Sequence, residues 1–185
     1  MPPTLQPYPD SDVRMFIRSS ESVLVSAPTH YRHEAPGGLV ITATTNAGTW
    51  ENLGPVIAIG VWRQDRLIGH LRVERDIEIE ADEAWGPAWI MQSMFVLPEQ
   101  QRQGVGTMLL HTARQLTGLP IDADTQMTDA SSALYAKLRG ELWPAGDSAI
   151  PTDDSTILAF RAEAERIIDA ALAAWRGVLN QGTKP

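Results

Sequence analysis

A chain of 185 residues holds one domain with a sizeable core and leaves no room for two of ordinary size. Hydrophobic residues make up 43% and charged residues 21%, which excludes a disordered chain, and the longest apolar runs, such as Val56 to Trp62, fall far below the ~18 to 20 residues that span a bilayer. A formal charge of −8 argues against nucleic acid and anionic membranes as partners, and the absence of cysteine removes disulfide scaffolds, thiol nucleophiles and cysteine-bound zinc together.

Residues 1–10 carry Pro2, Pro3, Pro7 and Pro9 with neither a basic start nor an apolar stretch. A flexible arm is expected there rather than a secretory signal, with the cytoplasm as the default location. From Ser11 to about Ser26, available caps and a thin stripe of Val13, Phe16, Ile17 and Val23 predict a helix. Ala27 to Gly38 holds Pro28, Pro36, Gly37, Gly38 and the polar run His30 to Glu34, and reads as a connecting loop of the kind that shapes binding sites. Leu39–Thr45, Val56–Arg63, Leu67–Glu74 and Trp89–Leu97 have the β-branched and aliphatic content of strands. Only Gln64, Asp65 and Arg66 separate the middle two, which is a hairpin signal and makes at least part of the sheet antiparallel.

After Pro98 the pattern turns glycine-rich and then helical, with Val105, Met108, Leu109, Thr112 and Leu116 at helix spacing and Gly118-Leu119-Pro120 as the stop. A short strand around Pro120 to Ala123 and a helix from about Asp129 to Leu138 follow, so strands and helices mix in one domain of residues 11–150. The rest, residues 151–185, is dominated by a helix from about Thr152 to Leu179. Thr152, Asp153 or Asp154 would cap it, and Ile157, Phe160, Ala164, Ile168, Leu172, Trp175 and Leu179 form one stripe. That stripe must be buried, either on its own domain or in a dimer.

The segment richest in chemistry runs from Met94 to Leu110: an apolar strand ends at a proline, and a short loop leads into a helix whose start contains Gly104 and Gly106. The first N–H groups of a helix have no internal partners and lie at the positive end of its dipole, so this junction can hold a diphosphate without a lysine. A Walker loop would need lysine and a hydroxyl residue after the second glycine, and here Thr107 and Met108 follow Gly106. A dinucleotide fingerprint would need a glycine at 109, which is leucine, and a parallel strand before it.

What remains resembles the acyl-coenzyme A binding motif of the GNAT superfamily of N-acetyltransferases, in which a strand ending V-x-P leads to [Q/R]-x-x-G-x-[G/A] at a helix start. Val96, Pro98, Gln101, Gly104 and Gly106 fit it. Upstream, Val61 to Leu71 is similar to the family's central hairpin, and downstream Ala133-Leu134-Tyr135-Ala136-Lys137-Leu138 is similar to the helix that presents a tyrosine near the coenzyme sulfur. The likeness covers roughly Val56 to Gly140. Thr128 stands where the family often has asparagine, Arg139-Gly140-Glu141 where it commonly has Gly-Phe, and the closing strands would have to lie within Glu141 to Ile150.

The resemblance implies a single α/β domain of α+β type, with a central, mixed, mostly antiparallel sheet flanked by helices. It implies acetyl-coenzyme A as co-substrate, with no metal, and direct transfer of the acetyl group to a primary amine of a small molecule or protein. The loop Gln101, Arg102, Gln103, Gly104, Val105, Gly106 and Thr107 would hold the pyrophosphate, and the backbone of Phe95, Val96 and Leu97 would pair with the pantetheine arm and polarise the thioester. Tyr135 would return a proton to the thiolate. For the base there is the acidic run Glu78, Glu80, Asp82 and Glu83, with Glu80 or Glu78 the candidate beside base work through water; His70 reads as a packed or surface residue.

His30 and His33 lack an assured third metal ligand and read as a substrate-lining loop or plain surface. The overall charge of −8 would favour a cationic amine acceptor. Two other classes stay open: a non-catalytic acyl-coenzyme A sensing module, and a partner-binding domain that uses the C-terminal helix.

Overall fold

The structure, a computed structural model, describes residues 24, 28–46, 55–75, 89–119, 121–123, 129–142 and 152–182. The expected arm of residues 1–10, nearly all of the helix expected at Ser11 to Ser26, the acidic run containing Glu78 and Glu80, Thr128 and residues 143–150 lie outside the described residues.

Six strands form one sheet in chain order, β1 (Tyr31–Ala35), β2 (Leu39–Asn46), β3 (Val56–Arg63), β4 (Arg66–Arg75), β5 (Trp89–Val96) and β6 (Ile121–Ala123). β1 to β5 pair antiparallel, and β6 lies parallel to β5. The β5–β6 crossover contains a 3-10 turn (Pro98–Gln100) and helix α1 (Val105–Thr117); helices α2 (Asp129–Leu142) and α3 (Ser155–Gly182) follow β6.

The expected loop at Ala27 to Gly38 is corrected: Tyr31–Ala35 is an edge strand paired from Tyr31↔Ala43 to Ala35↔Leu39, with Pro28 to His30 before it and the turn Pro36 to Gly38 after it left irregular. Local composition misleads here because an edge strand needs few inward residues. Tyr31 is buried, whereas Arg32, His33 and Glu34 are exposed, the charged outer row that keeps an edge from pairing further.

β3 is buried at every position but Arg63 because both faces of the sheet are covered there. Ile57, Ile59 and Val61 join Leu71 and Val73 of β4 in the main core, which α1 caps with Val105, Leu109, Leu110, Ala113 and Leu116. Ala58, Trp62 and Leu67 form a smaller cluster with Leu24 on the other face. Helix α1 ends at Gly118 in the left-handed conformation, where the spacing predicts the stop.

Helix α3 starts at the cap Asp154, whose Oδ1 accepts the N–H groups of Thr156 (2.8 Å) and Ile157 (3.3 Å). Ile157, Phe160, Ala164 and Ile168 of its apolar stripe join the main core, and Phe160 meets the Tyr31 ring edge-on at 6.4 Å. Burial of a side chain like Phe160 stabilises the helix on the sheet by roughly 1.5–3 kcal/mol. The side chains of Trp175 and Leu179 lie outside the described residues.

Candidate active site

The site is built by a break in the sheet. Arg72 of β4 opposes Ser93, and Val73 opposes Met91, which leaves Gln92 as an extra, exposed residue of β5. Such a bulge bends its strand and strengthens the local twist. Parallel pairing of β5 with β6 covers only Trp89↔Ile121 to Met91↔Ala123, before the bulge. Beyond it, no described strand pairs with the outer edge of β5. The Leu97 N–H is donated to Ile68 O at 2.9 Å, so by strand alternation the N–H and C=O groups of Met94 and Val96 point to that open edge.

A cleft of about 570 Å³ opens along this edge. Met94, Phe95 and Val96 form its strand wall, and Ala133 and Leu134 of α2 form the wall opposite. Its floor is the start of α1, with Gln101, Arg102, Gly104, Gly106 and Thr107.

Gly104 sits at the N-cap of α1 with φ 85°, a left-handed conformation that disfavours any residue with a Cβ, and no side chain caps the helix there. The first helical bond runs from Met108 N–H to Gly104 O (2.9 Å), so the N–H groups of Val105, Gly106 and Thr107 have no partner within the helix. Three aligned donors at the positive end of a 13-residue helix can hold an anion.

Gly106 has a second purpose: a Cβ there would come within 2.8 Å of Leu134 Cδ2, so the glycine lets α2 close on α1. Side-chain bonds brace the loop. Gln101 Nε2 donates to Val96 O at 3.2 Å, Gln103 Nε2 to Glu99 O at 2.8 Å, and Arg66 ties Glu99 to the β3–β4 turn at 2.9 Å.

Of the residues expected at the site, Phe95, Val96, Gln101, Arg102, Gly104, Gly106 and Thr107 line one cleft. The side chains of Leu97 and Val105 instead lie in the core, each 2% exposed, and Gln103 is turned to Glu99. Tyr135 follows Leu134 but packs against the core, and its hydroxyl donates to Ile121 O at 2.8 Å. Glu80 and Glu78 lie outside the described residues. Met94, Ala133 and Leu134 are cleft residues that sequence reasoning missed, since nothing distinguishes them from ordinary core apolars. His30 and His33 gather no metal site: His30 Nδ1 accepts Thr45 N–H at 3.2 Å and His33 stacks on Tyr31. Among the described residues no three metal-ligating side chains come together.

His70 stands directly across from Phe95 on β4, and the two rings meet edge-on at 6.2 Å. It is 2% exposed, and neither ring nitrogen has a hydrogen-bond partner. Burial lowers its pKa to about 4, so the imidazole is neutral at neutral pH.

Residues 56–138 match the acetyltransferase (GNAT) domain model. No curated protein matches the chain. Among solved structures, an aminoglycoside acetyltransferase from an uncultured soil metagenomic sample is 17% identical, with 53% of this chain covering 64% of that one at a TM-score of 0.40. A second from such a sample, in complex with sisomicin, is 16% identical over 52% of this chain and 62% of its own, at 0.37. An aminoglycoside 6'-N-acetyltransferase of Acinetobacter haemolyticus is 19% identical over 54% and 70%, at 0.36. The chain thus spans less than two thirds of the length of the first two. No helix among the described residues is long and apolar enough to cross a membrane. Over residues 56–138, somewhat under half of its length, the chain is similar to the acetyltransferase (GNAT) domain.

Proposed function

We propose that the protein is an N-acetyltransferase that moves the acetyl group of acetyl-coenzyme A to a primary amine. The observation that carries this reading is the continuity of three unlike surfaces in one cleft. The free N–H groups of Val105, Gly106 and Thr107 suit a pyrophosphate. The apolar walls of Met94, Val96 and Leu134 suit the pantetheine chain, and the open edge of β5 offers it backbone partners. An N–H group on that edge, from Met94 or Val96, would donate to the thioester oxygen as charge develops on it.

In the transfer, the amine nitrogen bonds to the carbonyl carbon as the C–S bond breaks. The ammonium proton and the N–H proton lost from nitrogen pass to solvent or a base, and the thiolate takes one back. Cysteine is not needed, since the acetyl group passes directly between substrates. Tyr135 is the proposed acid: it lies one residue past the cleft wall, and would exchange Ile121 O for the departing thiolate. A base among Glu78 to Glu83, or water, completes the set. The site as a whole, in residues 11–150 and carrying α3 as an addition, would work as one cytoplasmic domain.

The engagement of Tyr135 with Ile121 O favours one other reading, a module that binds acyl-coenzyme A without transfer. Thiol release separates the two, and the chain contributes no thiol to the background. Coenzyme binding with amine-dependent thiol release is the expected result. Binding without release from any amine identifies a sensor, and absence of binding overturns both.

A further inference from the structure

The cleft occupies the edge of the sheet and the face that carries α1. On the opposite face the antiparallel register lays two rows of side chains beside it. Thr42, Gly60, His70 and Phe95 form one row, and Thr44, Ala58, Arg72 and Ser93 form the next. On the β3 side Leu24 packs over Gly60 and Ala58, whereas on the β5 side the polar groups of β4 stand beside the half-buried Ser93 and Phe95. Part of their hydrogen-bonding capacity is unused. Both nitrogens of His70, Oγ1 of Thr44 and Nε of Arg72 are buried without partners, and Arg72 makes no ion pair among the described residues. Native interiors rarely leave such groups unsatisfied, and several on one face call for a polar ligand.

The position of this face relative to the cleft gives the ligand a role. Phe95 belongs to both, lining the cleft while its ring meets His70. With α1 and α2 closing the cleft on one side, the His70 side is the one from which a nucleophile would approach an acyl group on the open edge of β5. Two charges on this face matter. Arg72 presents a half-buried guanidinium, while Glu74, two residues on, has an interaction of its own. Arginine matches a carboxylate with a planar fork, and His70, being neutral at neutral pH, does not repel an ammonium beside it. Residues two apart on a strand are spaced by about 7 Å, which a short amino acid bridges with its hydrogen bonds.

We propose that this face is the acceptor site and that the acceptor is a small amine bearing a carboxylate, with Arg72 pairing with the carboxylate and His70 hydrogen-bonded to the amine. The proposal rests on the acetyl-transfer reading. It also departs from what net charge suggests: a charge of −8 attracts cations at long range, but Arg72 puts a positive charge on this face.

The test is thiol release from acetyl-coenzyme A with the full chain, using L-amino acids, their decarboxylated amines and an aminoglycoside as acceptors. The same panel is run on R72Q and R72K, with calorimetry of acetyl-coenzyme A on each protein. Wild type is expected to favour amino acids over the matching amines by at least about tenfold in kcat/KM. R72Q should abolish that preference, R72K should reduce it, and the coenzyme Kd should stay within about twofold. Equal or better use of decarboxylated or cationic amines by wild type overturns the proposal, even if R72Q fails to fold. A preference that survives in folded R72Q overturns it, as does coenzyme binding without turnover of any amino acid. Loss of coenzyme binding in wild type strikes the transfer reading instead, and this proposal falls with it.

Discussion

The two halves of β5 are made of similar residues and lead different lives. Trp89 to Met91 is paired on both edges, and Trp89 is 1% exposed with the Arg75 guanidinium 5.6 Å from its ring. Met94 to Val96 is paired on one edge only and half-buried, with its other edge facing the cleft. Gln92, the extra residue at the bulge, separates them. A sheet interior and a ligand groove thus follow from the same strand by one inserted residue, because the bulge re-aims the chain and ends its pairing with β6. The first half should matter for stability and the second for chemistry.

Trp89→Ala should break the first half hardest. Loss of a fully buried indole in the core costs roughly 3–5 kcal/mol in urea unfolding. Phe95→Ala, six residues on and half-buried, should cost less than about 2 kcal/mol yet reduce kcat/KM at least tenfold. Equal stability losses would erase the distinction between the halves.

The neighbour of Phe95 gives a pH signature. His70 has its pKa lowered to about 4 in the folded state, against 6.5 for an unperturbed histidine. Between those values the unfolded chain binds the proton and the folded one does not, so this contribution is intact above pH 6.5 and lost as pH falls towards 4. At about 1.4 kcal/mol per pH unit the total is roughly 3 kcal/mol. The pH dependence of unfolding in wild type minus that in His70→Gln should show it, and a flat difference would mean that water reaches the ring.

Tyr135→Phe sharpens the account of the opposite wall. Loss of the bond to Ile121 O should cost about 1 kcal/mol of stability. As the proposed acid, Tyr135 should also be worth about tenfold or more in kcat with the coenzyme Kd unchanged; a stability loss with unchanged kcat would reduce it to a structural tyrosine. The smallest effect belongs to Gly104→Ala. No atom lies within 4 Å of a Cβ placed there, so only the positive φ opposes it, at about 1 kcal/mol in a melting experiment.

Much of this architecture is legible in the residues. β2 to β5 announce themselves by β-branched runs and the short turn at Gln64 to Arg66, α1 by its apolar spacing between Gly104 and Gly118, and the uncapped start of α1 by its glycines. β1 is not, because its exposed Arg32, His33 and Glu34 look like a loop until β2 supplies the hydrogen-bonding partner. The bulge at Gln92 has no compositional mark, and without it the open edge at Met94 and Val96 cannot be foreseen. The meeting of His70 and Arg72 with Phe95 and Ser93 depends on register across the strands, and register comes only from tertiary pairing. Leu97 and Val105 show the converse: adjacency to a motif does not aim a side chain at the ligand, and both pack inward.

The central claim is that the start of α1 holds the pyrophosphate of acetyl-coenzyme A. Calorimetric titration of the wild-type chain beside Gly104→Glu, with circular dichroism to verify that the variant is folded, tests it directly. The account predicts saturable 1:1 binding by wild type, weakened at least a hundredfold, about 2.7 kcal/mol, by a carboxylate at the anion site. Absence of binding by wild type, or equal affinity in a folded Gly104→Glu, would contradict it.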